Sequence, residues 1–441
     1  MEARVEARDE DIGLFAHVTS TAPLGGRLKS RIEDFRVEEV GGEPARDEQG
    51  PYVCARIRLT NWETNRFVAT ASDRLRISRK KIHFSGTKDK RGVTAQLFTF
   101  EAPPDEVQAL GRVPGVEVAD VYRCSSEAQL GDHDFNGFEI VVRALGEPLE
   151  AIRTRIGATW TEAETAGGFP NFYGPQRFGA VRATTHRVGE RILRGDFQGA
   201  VHAYLGTAPL GFSADEIQAW TESLAAGRHN DMLRMCRADQ GFERTLLHRL
   251  IEKPADWLNA LLGLPKNLQV LFVYAYQSFL FNKIVSQRIK DGLPLGQAVE
   301  GDLIAPIELG RFSEEWIPAQ SRNLARINEE IQRGRAVVTA LLPGTEAPMA
   351  EGGPGDIERR VLSDHDVTRS TFVVPEHLDW SSKGSRRAIA VRPSTFAFDV
   401  EEDALHPGRR LARFRFRLPR GAYATSVLRE FVKSPRLADY A

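Results

Sequence analysis

Alternation of apolar and polar residues, the mark of a β-strand, occupies both ends of this 441-residue chain, while helical spacing fills its middle. Near the start, Phe35-Arg36-Val37-Glu38-Glu39-Val40 and Val53 to Leu59 (VCARIRL) alternate, and "LFTFEA" and "FEIVVRAL" add strand candidates. Near the end, Leu411 to Leu418 alternates again, before a short helix from Ala424 to Val432. Strands at both ends and helices between them predict one domain built from the two chain ends, with a second inserted into it.

The length agrees, since 441 residues predict roughly two to four domains. "TNRFVATASDRLRIS" has helical spacing at Phe67, Val68, Ala71 and Leu75, with Asn61 or Thr64 placed to cap it. "LEAIRTRIGATWTEAETAGG" reads as an amphipathic helix ending at Gly167-Gly168. Helical patterns dominate from about residue 195 to Leu261, and an apolar helix follows at 268–289. "DLIAPIE" and "RAVVTALLPG" are strand candidates around another helix, and residues 343–357 form a Pro/Gly-rich loop.

Several function classes are excluded. The most apolar run, Leu268 to Val285, holds Gln269, Gln277, Asn282 and Lys283, which suits a buried helix and not a membrane span. The N-terminus, MEARVEARDEDIG, has no apolar signal-peptide core. Three scattered cysteines, Cys54, Cys124 and Cys236, with no C-x-x-C, exclude a structural zinc cluster and fit a reducing cytoplasm. The net charge of −1 means that any nucleic-acid site must be a local patch.

The segment with the most chemistry is Phe84-Ser85-Gly86-Thr87-Lys88-Asp89-Lys90-Arg91-Gly92-Val93-Thr94-Ala95-Gln96. One acid, Asp89, stands among Lys88, Lys90 and Arg91, with Gly86 and Gly92 three residues to either side. Glycines permit a tight loop, and nearby cations keep a carboxylate ionised even when it is shielded from water. Such an anion suits a nucleophile or a base, and the cations suit a phosphate-bearing substrate. On these residues alone, a charged surface hairpin fits equally well.

This segment resembles the signature of the TruD family of tRNA pseudouridine synthases, close to G-x-K-D-K/R-x-A/G-V-T-x-Q. Asp34-Phe35-Arg36-Val37-Glu38-Glu39 is similar to that family's D-F-x-V-x-E, and Pro170 to Gly179 (PNFYGPQRFG) to its P-N-Y/F-F-G-x-Q-R-F-G. Leu418 to Glu430 (LPRGAYATSVLRE) resembles its C-terminal motif, and "YQSFLFNKIVSQR", "EGDLI" and "LLPG" are weaker matches. All fall in family order along nearly the whole chain. Two departures stand out: Phe172-Tyr173 replaces the usual Tyr-Phe or Phe-Phe, and residues 125–138 are acidic where relatives often carry basic residues.

The resemblance implies an α+β fold: a pseudouridine-synthase catalytic domain with a mixed, mainly antiparallel sheet and helices, formed by residues 1–190 and 391–441. A helix-rich α/β TRUD domain, residues 191–390, is inserted into it, and the long insertion resembles archaeal or eukaryotic relatives more than bacterial ones. The implied activity is isomerisation of uridine to pseudouridine, at position 13 of tRNA. Asp89 is then the nucleophile and Lys29 its cationic partner. Phe35, Lys88, Asn171, Tyr173 and Arg177 are the substrate-binding residues, with Phe35 and Tyr173 as stacking platforms for a flipped base. Isomerisation needs no cofactor or metal, which agrees with the lack of P-loop, dinucleotide and zincin motifs. The expected partner is tRNA, in the cytoplasm, with no membrane attachment and no protein partner readable. The alternative is an RNA-binding or chaperone relative that kept the fold and lost activity.

Overall fold

In the computed structural model, which describes residues 6–88, 90–180, 182–209, 211–308 and 311–440, the N-terminal alternation becomes strand β1 (Phe35–Val40). Phe35, Val37 and Glu39 point inward, and Arg36 and Glu38 outward. The period that buries two apolar side chains therefore buries a carboxylate as well.

The described residues divide into two units. One holds residues 18–171, 391–434 and 439–440. Its sheet contains β1, β2 (Tyr52–Thr60), β3 (Ile82–Phe84), β4 (Val93–Phe100), β5 (Val116–Cys124), β6 (Phe135–Leu145) and the strands Ser394–Glu402 and Arg410–Pro419. The spatial order is Ser394–Glu402, Arg410–Pro419, β6, β1, β4, β2, β5, and β3 pairs with β4. Among the described residues only the β1–β4 pairing of this sheet is parallel, so the sheet is mixed and mainly antiparallel. Strand Arg410–Pro419 lies against β6 from Arg410↔Leu145 to Pro419↔Phe135, which puts the C-terminal strands in the N-terminal sheet.

Helix α1 (Thr64–Leu75) buries Phe67, Val68, Ala71 and Leu75, as its spacing predicts, against Val53, Ile57, Phe98 and Phe100. Its N-cap is neither Asn61 nor Thr64 but Glu63, whose carboxylate accepts the Asn65 and Arg66 N–H groups. A carboxylate there also faces the positive end of the helix dipole. The Thr64 hydroxyl is engaged elsewhere, as described below. Helices Leu149–Thr165 and Ala424–Val432 pack Ile152, Ile156, Val427 and Phe431 on Phe35, Val37, Ile140, Phe414 and Phe416.

The other unit holds residues 6–17, 172–390 and 435–438. It contains the helical run from Thr185 to Leu262 and the long helix Lys266–Lys290. No described helix is long and apolar enough to cross a membrane. Gln277 of the long helix donates to the Pro343 carbonyl and to Ser382 Oγ. A five-stranded sheet follows, ordered Ile317–Pro318, Leu303–Glu308, Ala336–Leu342, Ser385–Ala388, with Arg311–Phe312 paired to Leu303–Glu308. The Pro/Gly-rich stretch is not loop throughout, because helix Gly352–Asp364 begins within it. Pro354 falls in the first turn, where a missing N–H breaks no intrahelical bond.

A buried ion network ties the start of β1 to the far hairpin of the sheet. The Arg143 guanidinium makes bonds of 2.7–3.0 Å to the Asp34 carboxylate and one of 2.8 Å to Asp403. Burial would raise the Asp403 pKa, but the N–H groups of Ala144 and Leu405 and the Arg143 charge together hold it below the usual carboxylate range. Removing one member of such a network strands the others. Arg143→Met should therefore destabilise this unit by about 3–5 kcal/mol in urea melts. A depressed carboxylate contributes stability above its unfolded pKa and loses it as pH falls through the folded one. Asp403→Asn should accordingly flatten the stability–pH curve below about pH 4, measured by denaturation midpoints against the unaltered protein.

Candidate active site

The buried phase of β1 puts Glu39 under the segment that leads to Asp89. Glu39 is 1% exposed, and its carboxylate is fully used. One oxygen takes the Lys88 ammonium at 2.5 Å. The other accepts the Ser85 hydroxyl at 2.5 Å and the Leu97 N–H, on β4, at 3.1 Å. Charge-assisted bonds of this kind are the short, strong ones.

The backbone of the same segment is held as well. Thr64 Oγ1, at the start of α1, accepts the Lys88 N–H at 3.1 Å and donates to Gln96 Oε1 at 3.3 Å. Gln96 Nε2 in turn donates to the Gly86 carbonyl. The Ser85 carbonyl accepts the Gly131 N–H at 2.8 Å. Sequence reading named Lys88 as a substrate contact; in the structure its ammonium lies on Glu39.

The glycines flanking this segment serve packing, not an unusual backbone angle. Neither Gly86 nor Gly92 has positive φ. A Cβ on Gly86 would sit 2.7 Å from Glu39 Oε1 and 2.9 Å from Lys88 Nζ, and one on Gly92 would sit 2.8 Å from the Phe35 carbonyl. Asp89, the expected nucleophile, lies outside the described residues.

His133 completes the surroundings of Glu39, with Nδ1 at 3.8 Å from its carboxylate. Burial lowers the His133 pKa, and Glu39 opposes this only in part, so the ring is neutral near pH 7. Lys88 is therefore the cation that balances the buried Glu39.

Lys29 and Phe35 meet in the same unit. The Lys29 ammonium lies 4.5 Å from the Phe35 ring centroid, and the residues are 3% and 6% exposed. Lys29 also has φ +51°, the left-handed region, which persists in a non-glycine residue only where its surroundings impose it. Phe35 packs edge-on against Phe138 at 6.2 Å and joins the core, so its ring is both a core side chain and the floor under a cation.

Asn171 is 7% exposed and lies at the end of this unit. Tyr173 and Arg177 belong to the other unit. There Asn282, on the long helix, grips the Tyr173 backbone, accepting its N–H at 2.9 Å and donating to its carbonyl at 3.1 Å. The Tyr173 ring carries the guanidinium of Arg387 at 4.3 Å and that of Arg177 at 5.2 Å, with Phe281 edge-on. Stacking a base on Tyr173 requires those cations to move aside or to join the stack.

Sequence reading missed Glu39, Ser85, Thr64, Gln96, Asn282 and Arg387 as parts of these arrangements. One signal existed for Glu39, a carboxylate in the inward phase of a strand. On strand Arg410–Pro419, Arg413 and Arg415 pair with Glu139, Glu401 and Asp399. Among the described residues no group of three His, Cys, Asp or Glu side chains is arranged to hold a metal ion.

Comparison with known proteins bears on the whole chain. The family model for tRNA pseudouridine synthase D (TruD) matches residues 11–431. A Methanosarcina acetivorans protein named "Probable tRNA pseudouridine synthase D" is 37% identical over 430 residues, covering 96% of both chains. One of the same name from Halobacterium salinarum is 36% identical, covering 97% of this chain and 98% of that one. The crystal structure of a TruD homologue from Methanosarcina mazei superposes with a TM-score of 0.82 at 34% identity, covering 99% of this chain and 100% of that one. Sequence and fold agree from end to end, and this chain belongs to the tRNA pseudouridine synthase D (TruD) family.

Proposed function

We propose that this protein isomerises uridine to pseudouridine at position 13 of tRNA, with Asp89 as nucleophile. The observation that supports this most is the bonding of the segment before Asp89: an acid in a plain charged hairpin needs no buried carboxylate, hydroxyl and amide holding the residues ahead of it. The unit formed by residues 18–171 and the C-terminal strands is the catalytic domain in this reading, and the other is the family-specific insertion.

The reaction cleaves the C–N glycosidic bond, turns the uracil and forms a C–C bond between the same two groups. Atoms and electrons balance within the substrate, so no redox partner, energy source or metal is called for. The uridine leaves its stack to reach the carboxylate. In this reading Asp89 attacks the sugar or the uracil ring, Lys29 keeps it ionised, and Asn171 bonds the uracil edge. Phe35 and Tyr173 are the proposed stacking residues, and Arg177 is a further substrate-binding residue. The working compartment is the cytoplasm, where tRNA is modified and scattered thiols stay reduced.

Three outcomes test this reading. Asp89→Asn should keep the melting temperature and tRNA affinity and abolish product, read by pseudouridine mapping on tRNA; near-normal turnover refutes the assignment. The same mapping separates an enzyme from an RNA-binding relative, which gives no product with the unaltered chain. Activity should also survive exhaustive dialysis against a strong chelator, with tRNA folding controlled by a native gel; rescue by one divalent metal would contradict it.

Lys29→Met removes the cation over Phe35 and, in this reading, the charge beside Asp89. A carboxylate that loses a nearby cation has a raised pKa, so its ionised fraction falls most at low pH. Turnover should drop more at pH 5.5 than at pH 8, and Lys29→Arg should lose less. A uniform loss across pH would assign Lys29 to folding instead.

A further inference from the structure

We infer that Glu39 is the positioning residue of the catalytic loop, acting through Ser85 and Lys88; the inference rests on Asp89 being the nucleophile. The Glu39 carboxylate binds both ends of the four residues that precede Asp89, Ser85 through its hydroxyl and Lys88 through its ammonium. It binds the frame at the same time, through the Leu97 N–H on β4, while its own backbone lies in β1. These are the strands that pair in parallel, Glu38 beside Ala95. Glu39 therefore holds the loop to the centre of the sheet rather than to a neighbouring loop.

The side chain reaches this place by strand periodicity, and burial removes water as a competing partner. Each bond is accordingly strong, and each partner is costly to leave unmatched. The Thr64–Gln96 relay fixes the backbone between the two ends, at the Gly86 carbonyl and the Lys88 N–H. Gly86 completes the fit, since a Cβ there would press on both members of the ion pair. Lys88 serves the reaction through this pair, as the partner that ties the loop to the Glu39 carboxylate, and not as a phosphate contact. Misplacing a reacting group by about 1 Å can cost on the order of a hundredfold in rate.

The test is a double-mutant cycle with Glu39→Gln, Lys88→Met and the pair together, assayed by single-turnover pseudouridine formation and by tRNA binding. Each single change should slow the rate constant at least tenfold, with the tRNA Kd within threefold of normal. The double variant should be no slower than the slower single one, because both changes act on the same bond. A fold defect would lower the reaction amplitude and leave the rate constant alone. Rate constants within threefold of normal overturn the inference. So do losses that multiply together with a weakened, less salt-dependent Kd for Lys88→Met, the pattern of a phosphate contact. If Glu39→Gln does not fold, Ser85→Ala carries the same rate test: slowing of threefold or more supports the role, and a normal rate removes it. Asp89→Asn runs alongside. If it retains activity, the nucleophile assignment fails; if it is inactive while Glu39→Gln runs at the normal rate, only the positioning role fails.

Discussion

The pairing of strand Arg410–Pro419 with β6 is the constraint on which the unit of residues 18–171 and the C-terminal strands depends. It joins segments more than two hundred residues apart in the chain, from Arg410↔Leu145 to Pro419↔Phe135. β1 has β6 on one side and β4 on the other, so the strand carrying Phe35 and Glu39 lies in the interior of the sheet. An interior strand has both rows of backbone groups satisfied and both neighbours fixed. The Arg143 network adds a polar clamp at one end of this arrangement, linking Asp34, just before β1, with Asp403, just after strand Ser394–Glu402.

A rigid centre suits the chemistry of a TruD protein. Isomerisation of uridine draws on no external reagent, so in the proposed reading the rate depends on where the Asp89 carboxylate stands relative to its nucleotide. The residues ahead of Asp89 take their position from β1, β4 and the first turn of α1, through Glu39, Leu97, Gln96 and Thr64. Reactive groups on a loop gain precision when the supporting shell belongs to regular elements. The second unit shows the same logic on a smaller scale, with Asn282 of a buried helix holding the backbone of Tyr173.

Much of this was legible in the residues. Alternation placed β1, β2, β6 and strand Arg410–Pro419, and helical spacing placed α1 and the helices Leu149–Thr165 and Lys266–Lys290. Family resemblance supplied the reaction and its candidate residues, and the family membership and the mixed, mainly antiparallel sheet agree with it. Local rules failed where a distant group competed. Thr64 reads as a cap by sequence, but its hydroxyl goes to Lys88 and Gln96 and the cap passes to Glu63. The start of helix Gly352–Asp364 was hidden because a run of glycine and proline reads as loop by sequence.

The sequence alone determined strand and helix periodicity, the family, and the inward direction of Glu39, because each depends on residues adjacent in the chain or on motifs of fixed spacing. The tertiary structure alone decided what Glu39 meets. Ser85, Lys88 and Leu97 lie 46, 49 and 58 residues further along, and only the pairing of β1 with β4 brings them within hydrogen-bond range. The role of Gly86 was decided in the same way. Its φ is ordinary, and what a Cβ would meet there is a carboxylate from one strand and an ammonium from its own loop. Steric demand from a distant segment leaves no local mark in a sequence, whereas periodicity does.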